Sequence, residues 1–84
     1  MKEYQFYTSD NQGTLLHAGV HKLGNFSHKT IKKHERKWLI WRYNYVKNHP
    51  GNYPTAQDFI MHREPKYITV FPINEPKNQR TFTL

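Results

Sequence analysis

The chain has 84 residues, the length of one small domain, and a formal net charge of +7 with a sequence pI near 9.8. It contains no cysteine, which excludes disulfides and thiolate zinc sites and favours a reducing, cytoplasmic setting. No apolar run approaches the roughly 20 residues that a membrane-spanning helix needs. We therefore expect a single domain over residues 1–84 with no membrane association.

The excess positive charge lies in one window of the sequence. Between Lys22 and Lys47 there are eight basic residues and one acidic residue, Glu35, so this window carries the whole net charge of +7. The rest of the chain has five basic and five acidic side chains. Because an excess confined to one element attracts anionic partners, the window is a candidate nucleic-acid-binding region.

Alternating, aromatic-rich segments predict a β-hairpin at the start of the chain. Residues 3–8 form the first strand, and a turn follows in which Gly13 is suited to a positive φ. Residues 14–21 return as the second strand, in which Gly19 either weakens the strand or marks a bulge. Residues 22–25 then connect the hairpin to the next element.

The strongest local signals predict a helix over residues 27–48. Ser27 is suited to the N-cap because its hydroxyl can accept from a backbone N–H of the first turn. Pro50 and Gly51 end the helix, since proline disfavours helix at the residue before it and glycine allows a sharp turn.

One side of this helix is predicted to face a sheet. Apolar residues recur with a period of 3.6, and we expect Trp38, Tyr45 and Val46 to be buried. Glu35 and Arg42 lie on the same side, where we expect their charged ends to reach the rim of the apolar stripe, or Arg42 to lie against Trp38 one turn earlier.

The remaining elements are shorter. Thr55 and Asp58 have the spacing of a capping box and predict a short helix to about Arg63. Residues 66–73 and 79–84 predict two further strands. The order β-β-α-α-β-β predicts an α+β fold in which an antiparallel sheet packs on one long basic amphipathic helix and a second short one.

Cations of the window are candidates for contacts with phosphate groups, which would position a nucleic acid without reading its sequence. The candidate residues are Lys22, Lys29, Lys32, Lys33, Arg36, Lys37 and Lys47, with Asn44 as the one candidate for base contact. The first turns of the helix also lack a carboxylate, an arrangement that suits an anion site. We expect a non-enzymatic nucleic-acid-binding protein, with DNA favoured over RNA.

A protein-binding role is the alternative. Trp41, Tyr43 and Tyr53 are candidates for stacking on bases or for a protein interface, where aromatic residues and arginine are enriched. In this interpretation the chain is a module or inhibitor that docks on an acidic or nucleic-acid-binding surface of a larger protein. Small basic proteins of this type are common among phages and other mobile elements.

Catalytic and metal-binding patterns are weak. A small metal-independent endoribonuclease would use residue types such as those of His62, Arg63, Tyr67 and Arg80, but their spacing does not require a common site. His17 and His21 would lie ~13 Å apart along a strand, so we expect them not to converge. We therefore expect no enzymatic activity, no metal site, no cofactor and no small-molecule substrate.

Overall fold

The computed structural model describes residues 2–24 and 26–84, and these form the predicted order of elements. The elements are β1 (Lys2–Ser9), β2 (Leu15–Leu23), α1 (His28–Asn48), α2 (Ala56–Met61), β3 (Tyr67–Pro72) and β4 (Arg80–Thr83). The strands form an antiparallel sheet in the order β2-β1-β3-β4. The predicted α+β fold is confirmed.

The hairpin differs from its prediction in two details. Gly13 has the expected positive φ of 83°, but the bulge lies where Thr8 gives way to Ser9, with Leu16 as the extra residue, and not at Gly19. The second strand also continues through Leu23, because Lys22 and Leu23 still pair with β1. The predicted loop is therefore shorter, and its last residue, Asn25, lies outside the described residues.

Both helices begin at the predicted caps. The Ser27 hydroxyl accepts from the N–H of Thr30 at 3.2 Å, and the Thr55 hydroxyl accepts from the N–H of Asp58 at 3.0 Å. Gly51 has a φ of 101°, which permits the predicted turn after α1. Local hydrogen-bonding signals therefore fixed these helix starts, whereas α2 ends at Met61, before the predicted end.

The core lies between α1 and one face of the sheet. Alternate residues of the strands point toward α1, so the buried cluster draws on β1, β2, β3 and α1. Its members are Tyr4, Phe6, Leu23, Ile31, Ile68 and Val70, with Phe26, Phe82 and Leu84 packed at its edge.

The predicted burial of three α1 residues needs correction. Trp38, Tyr45 and Val46 are half-buried, while Ile31 and Glu35 are the buried residues of α1. Trp38 stacks on an imidazole of β2, which is an edge strand, and Tyr45 hydrogen-bonds to Asp58 of α2. These side chains therefore pack at the margin of the core and not over its centre.

The other face of the sheet is not covered by either helix. Its side chains contact one another: Tyr7 packs on Phe71 with ring centroids 5.9 Å apart, and the hydroxyls of Thr69 and Thr81 lie 3.1 Å apart. We call this surface the open face. It comprises Glu3, Gln5, Tyr7, Ala18, Val20, Lys22, Thr69, Phe71 and Thr81.

Candidate nucleic-acid interface

The one acidic residue of the basic window, Glu35, lies on the inner side of α1. Glu35 is 1% exposed, and one of its carboxylate oxygens accepts from the Thr8 hydroxyl at 3.2 Å and from Nδ1 of His17 at 3.1 Å. Its other oxygen accepts from Nε2 of His21 at 3.1 Å. Because an ionised carboxylate has only acceptor positions, we assign the donor role to each ring nitrogen that faces Glu35.

The prediction that Glu35 reaches the rim of the apolar stripe is therefore wrong, because its carboxylate lies in the interior. Burying a carboxylate is costly unless hydrogen bonds replace its hydration, and Thr8, His17 and His21 supply them. Each imidazole also packs against an aromatic ring. His17 stacks on Trp38 with ring centroids 4.7 Å apart, and His21 contacts Phe6 edge-on with ring centroids 4.7 Å apart.

His17 and His21, predicted to lie too far apart along the strand to share a metal ion, both reach one carboxylate, that of Glu35. Both rings lean over Gly19, where a Cβ would lie 3.6 Å from each of them. His17, Gly19 and His21 lie on the side of β2 that faces α1, an alternation already present in the predicted strand, and the glycine between the two histidines leaves room for both rings. The two ring nitrogens face different oxygens of one carboxylate, and within residues 2–24 and 26–84 no three His, Asp or Glu side chains are placed to hold a metal ion.

The side of α1 that faces solvent carries the positive charge. At 3.6 residues per turn its six cations fall within an arc of about 140°. All six are exposed, and no carboxylate in the described part of the chain forms an ion pair with them. We call this surface the cationic face; it comprises Lys29, Lys32, Lys33, Arg36, Lys37 and Lys47.

Part of the cationic face borders a groove. The groove has a volume of about 620 Å³, and it lies between the first half of α1 and the last residue of the chain. It is lined by Lys29, Lys32, Lys33, Arg36, Leu39 and Leu84. Four cations therefore surround one recess whose wall is otherwise aliphatic.

Two cations of the basic window do not belong to the cationic face. Lys22 is exposed on the open face, where it pairs in register with Glu3, because adjacent strand residues point to opposite sides. Arg42 is half-buried, its Nε has no hydrogen-bond partner among the described residues, and burial lowers the pKa of its guanidinium. The structure therefore separates Lys22 from the six helical candidates.

The remaining sequence candidates occupy separate places. Asn44 is exposed on the same side of α1 as Lys47. Tyr43 is 67% exposed on that side, whereas Trp41 lies on the flank of the helix with its ring 5.6 Å from Tyr45. Tyr53 is exposed in the loop before α2, against Phe59 and His62. The three aromatic candidates do not form one patch.

The start of α1 is already partly engaged. Ser27 accepts from the N–H of Thr30, and the His28 ring stacks on Phe82 with centroids 5.1 Å apart. Lys29, Lys32 and Lys33 remain exposed on the outer side of these first turns.

The candidate ribonuclease residues are brought together only in part: His62 and Arg63 line one recess beside the hairpin turn, whereas Arg80 lies against Phe26. Arg63 binds Asp10, with its Nε 2.7 Å from the carboxylate, while Arg80 donates to the carbonyl of Phe26 at 3.1 Å. Tyr67 begins β3, three residues before the register partner of Arg80. Each arginine therefore serves a different end of the sheet.

Asp10 is a second buried carboxylate, at the turn of the hairpin. Burial by itself raises the pKa of Asp10, but hydrogen bonds from the N–H of Thr14, from Arg63 and from the N–H of Gln12 outweigh it and lower the pKa to about 2. In α2, two hydrogen bonds lower the pKa of the Asp58 carboxyl. The bond from the Thr55 hydroxyl has the larger effect, and the bond from the Tyr45 hydroxyl has the next largest.

Comparisons with known proteins found no matching family model, no matching curated protein and no matching solved structure. Neither helix in residues 2–24 and 26–84 is long and apolar enough to cross a membrane.

Proposed function

We propose that this chain is a non-enzymatic nucleic-acid-binding protein that contacts phosphate groups through the cationic face of α1. One observation carries the proposal: the acidic residue of the basic window is buried on the inner side of the helix, so the outer side presents six exposed cations without an opposing carboxylate in the described residues. Clustered cations of this kind supply the sequence-independent part of nucleic-acid affinity.

The dimensions of the face suit a polyanion. From Lys29 to Lys47 it extends over about 27 Å of helix. B-DNA carries about 16 phosphate charges over that length. Several cations can therefore engage phosphates at once.

Double-stranded DNA is the favoured ligand. The major groove of B-DNA admits an α-helix, whereas the major groove of A-form RNA is too deep and narrow for side chains to read. The outer side of α1 is exposed along its whole length, and Asn44 is suited to contact the edge of an adenine. Phosphate contacts would provide the affinity and Asn44 the one base contact.

Gel retardation of purified protein tests the proposal. Protein freed of bound nucleic acid by nuclease and high salt is titrated against duplex DNA, duplex RNA and single strands at ~50 mM and ~200 mM salt. We expect micromolar binding at the lower salt and marked weakening at the higher, because counterion release dominates. A protein that retards none of these at ~50 mM salt would contradict the proposal.

A protein partner is the second candidate. Ile40 and Tyr43 are 52% and 67% exposed on the same side of α1 as the cations. Exposed apolar and aromatic groups beside cations suit an acidic protein surface better than a phosphate backbone. This candidate predicts little nucleic-acid affinity and nuclease-resistant capture of one protein partner, which Tyr43→Ala would abolish.

A further inference from the structure

The open face of the sheet has almost no net charge, in contrast to the rest of the molecule. Its charged residues are Glu3 and Lys22, which are register partners on β1 and β2 and neutralise each other. The other residues of the open face are uncharged, and the Tyr7–Phe71 pair lies among them on the two central strands. Val20 is 51% exposed beside this pair.

From these observations we infer that the open face is the contact surface between two copies of this chain, stacked sheet to sheet about a two-fold axis. A two-fold interface uses the same patch on both copies, so a patch with a net charge on one copy is repelled by the same patch on the other. Each copy has a net charge of +7, but its cationic face lies on the opposite side of the sheet. The open face is therefore the side on which two copies can approach with little opposing charge.

The chemistry of the face favours a second copy over a nucleic acid. Sheets that bind single strands combine stacking aromatics with a positively charged groove. Here Lys22 is paired in register with Glu3, and the cationic groups of α1 are on the other side. Aromatic groups with few charges are typical of the centre of a protein–protein interface.

The size of the face predicts weak association. Four strands about 4.8 Å apart and about six residues of 3.3 Å give a surface of roughly 400 Å². A stable interface buries about 800 Å² per partner, so this dimer belongs to the transient class. Its two α1 helices would lie on opposite outer sides and present both cationic faces to solvent.

Sedimentation equilibrium on nuclease-treated protein tests the inference. Over about 10 μM to 1 mM we expect the mass to rise from 10.2 kDa toward twice that value. We also expect more dimer at ~0.5 M than at ~0.15 M NaCl, because salt screens the repulsion between the two positively charged copies. Nucleic-acid-bridged dimers would respond to salt in the opposite direction.

Two matched variants locate the contact. Val20 and Ile40 are both β-branched and about half exposed, one on the open face and one on the outer side of α1. Val20→Lys should weaken self-association at least tenfold, since the two-fold axis brings both new charges into one interface, while Ile40→Lys should dimerise like the parent. Thr81→Lys, on the exposed strand β4, serves as a second variant should Val20→Lys fail to fold in circular dichroism.

Two results would overturn the inference. In the first, the parent remains at 10.2 kDa at 1 mM; if Val20→Lys then weakens binding of a single-stranded oligonucleotide, the open face is a nucleic-acid platform. In the second, Val20→Lys and Thr81→Lys dimerise like the parent through another surface. A parent that dimerises without retarding any nucleic acid supports this inference and contradicts the proposed function alone.

Discussion

The inner side of α1 holds a buried carboxylate, whereas its outer side carries exposed cations, and the two sides are held in different ways. On the inner side Glu35 is enclosed by three hydrogen-bond donors from β1 and β2, and Ile31 is the buried apolar residue of the helix. The outer side exposes six cations with no carboxylate partner among the described residues. The helical period separates the two tasks, because residues that fix the helix on the sheet and residues available to a ligand never share a side.

This division implies that stability and binding respond to different substitutions. Changes on the inner side remove contacts that hold α1 on the sheet, whereas exposed lysines contribute little to folding. A domain of this size has a free energy of unfolding of only about 4–13 kcal/mol, so the loss of one inner contact is a large fraction of it.

The largest expected effect follows Glu35→Ala. This change leaves the Thr8 hydroxyl and both imidazoles without their acceptor, and each buried donor left unpaired costs about 1–3 kcal/mol. Urea denaturation followed by circular dichroism measures the loss. Glu75→Ala, in an exposed turn, is the control and should stay within about 0.5 kcal/mol of the parent. Equal midpoints for the two variants would show that Glu35 does not hold the helix.

A smaller loss is expected for Trp38→Ala. Trp38 is half-buried and stacks on His17, so we expect about 2 kcal/mol, below the 3–5 kcal/mol of a fully buried tryptophan. Trp41→Ala is the matched control, because its ring is 49% exposed on the flank of the same helix, and it should cost less than half as much. A loss as large as that of Glu35→Ala would mean that Trp38 belongs to the core, as its place on the apolar stripe had predicted.

A third prediction concerns the pH dependence of the stabilisation by the other buried carboxylate, Asp10. The pKa of Asp10 is about 2 in the folded chain and about 3.9 in an unfolded one. The folded state binds fewer protons there, so the stabilisation by Asp10 is complete above pH ~4 and is lost as the pH falls toward 2. The melting temperature of the parent should therefore exceed that of Asp10→Asn at pH 6, and the difference should shrink between pH 4 and 2. A difference that does not vary with pH would contradict this assignment.

Local signals predicted the fold well, and contacts between distant elements account for what was missed. Ser27 and Thr55 cap helices through bonds to residues three positions away, so the sequence predicts them directly. Glu35 meets partners 14 to 27 residues away, and nothing in its own turn of helix indicates them. The alternation of His17, Gly19 and His21 within the predicted strand was the available signal, because a glycine between two histidines on one face leaves room for both rings to reach one partner.

The separation of tasks is tested most directly by the salt dependence of DNA binding in two triple variants of equal net charge. One, Lys32→Gln/Lys33→Gln/Lys37→Gln, removes three charges from the cationic face; the other, Lys2→Gln/Lys66→Gln/Lys77→Gln, removes three exposed charges elsewhere. Each lost phosphate contact lowers the slope of log K against log[salt] by about 0.9, so the first variant should lose roughly 2–3 in slope and the second almost nothing. In both variants, each substitution should change the free energy of unfolding by no more than about 0.5 kcal/mol. Equal slopes for the two variants would show that binding follows net charge alone and would contradict a phosphate-binding role for the cationic face.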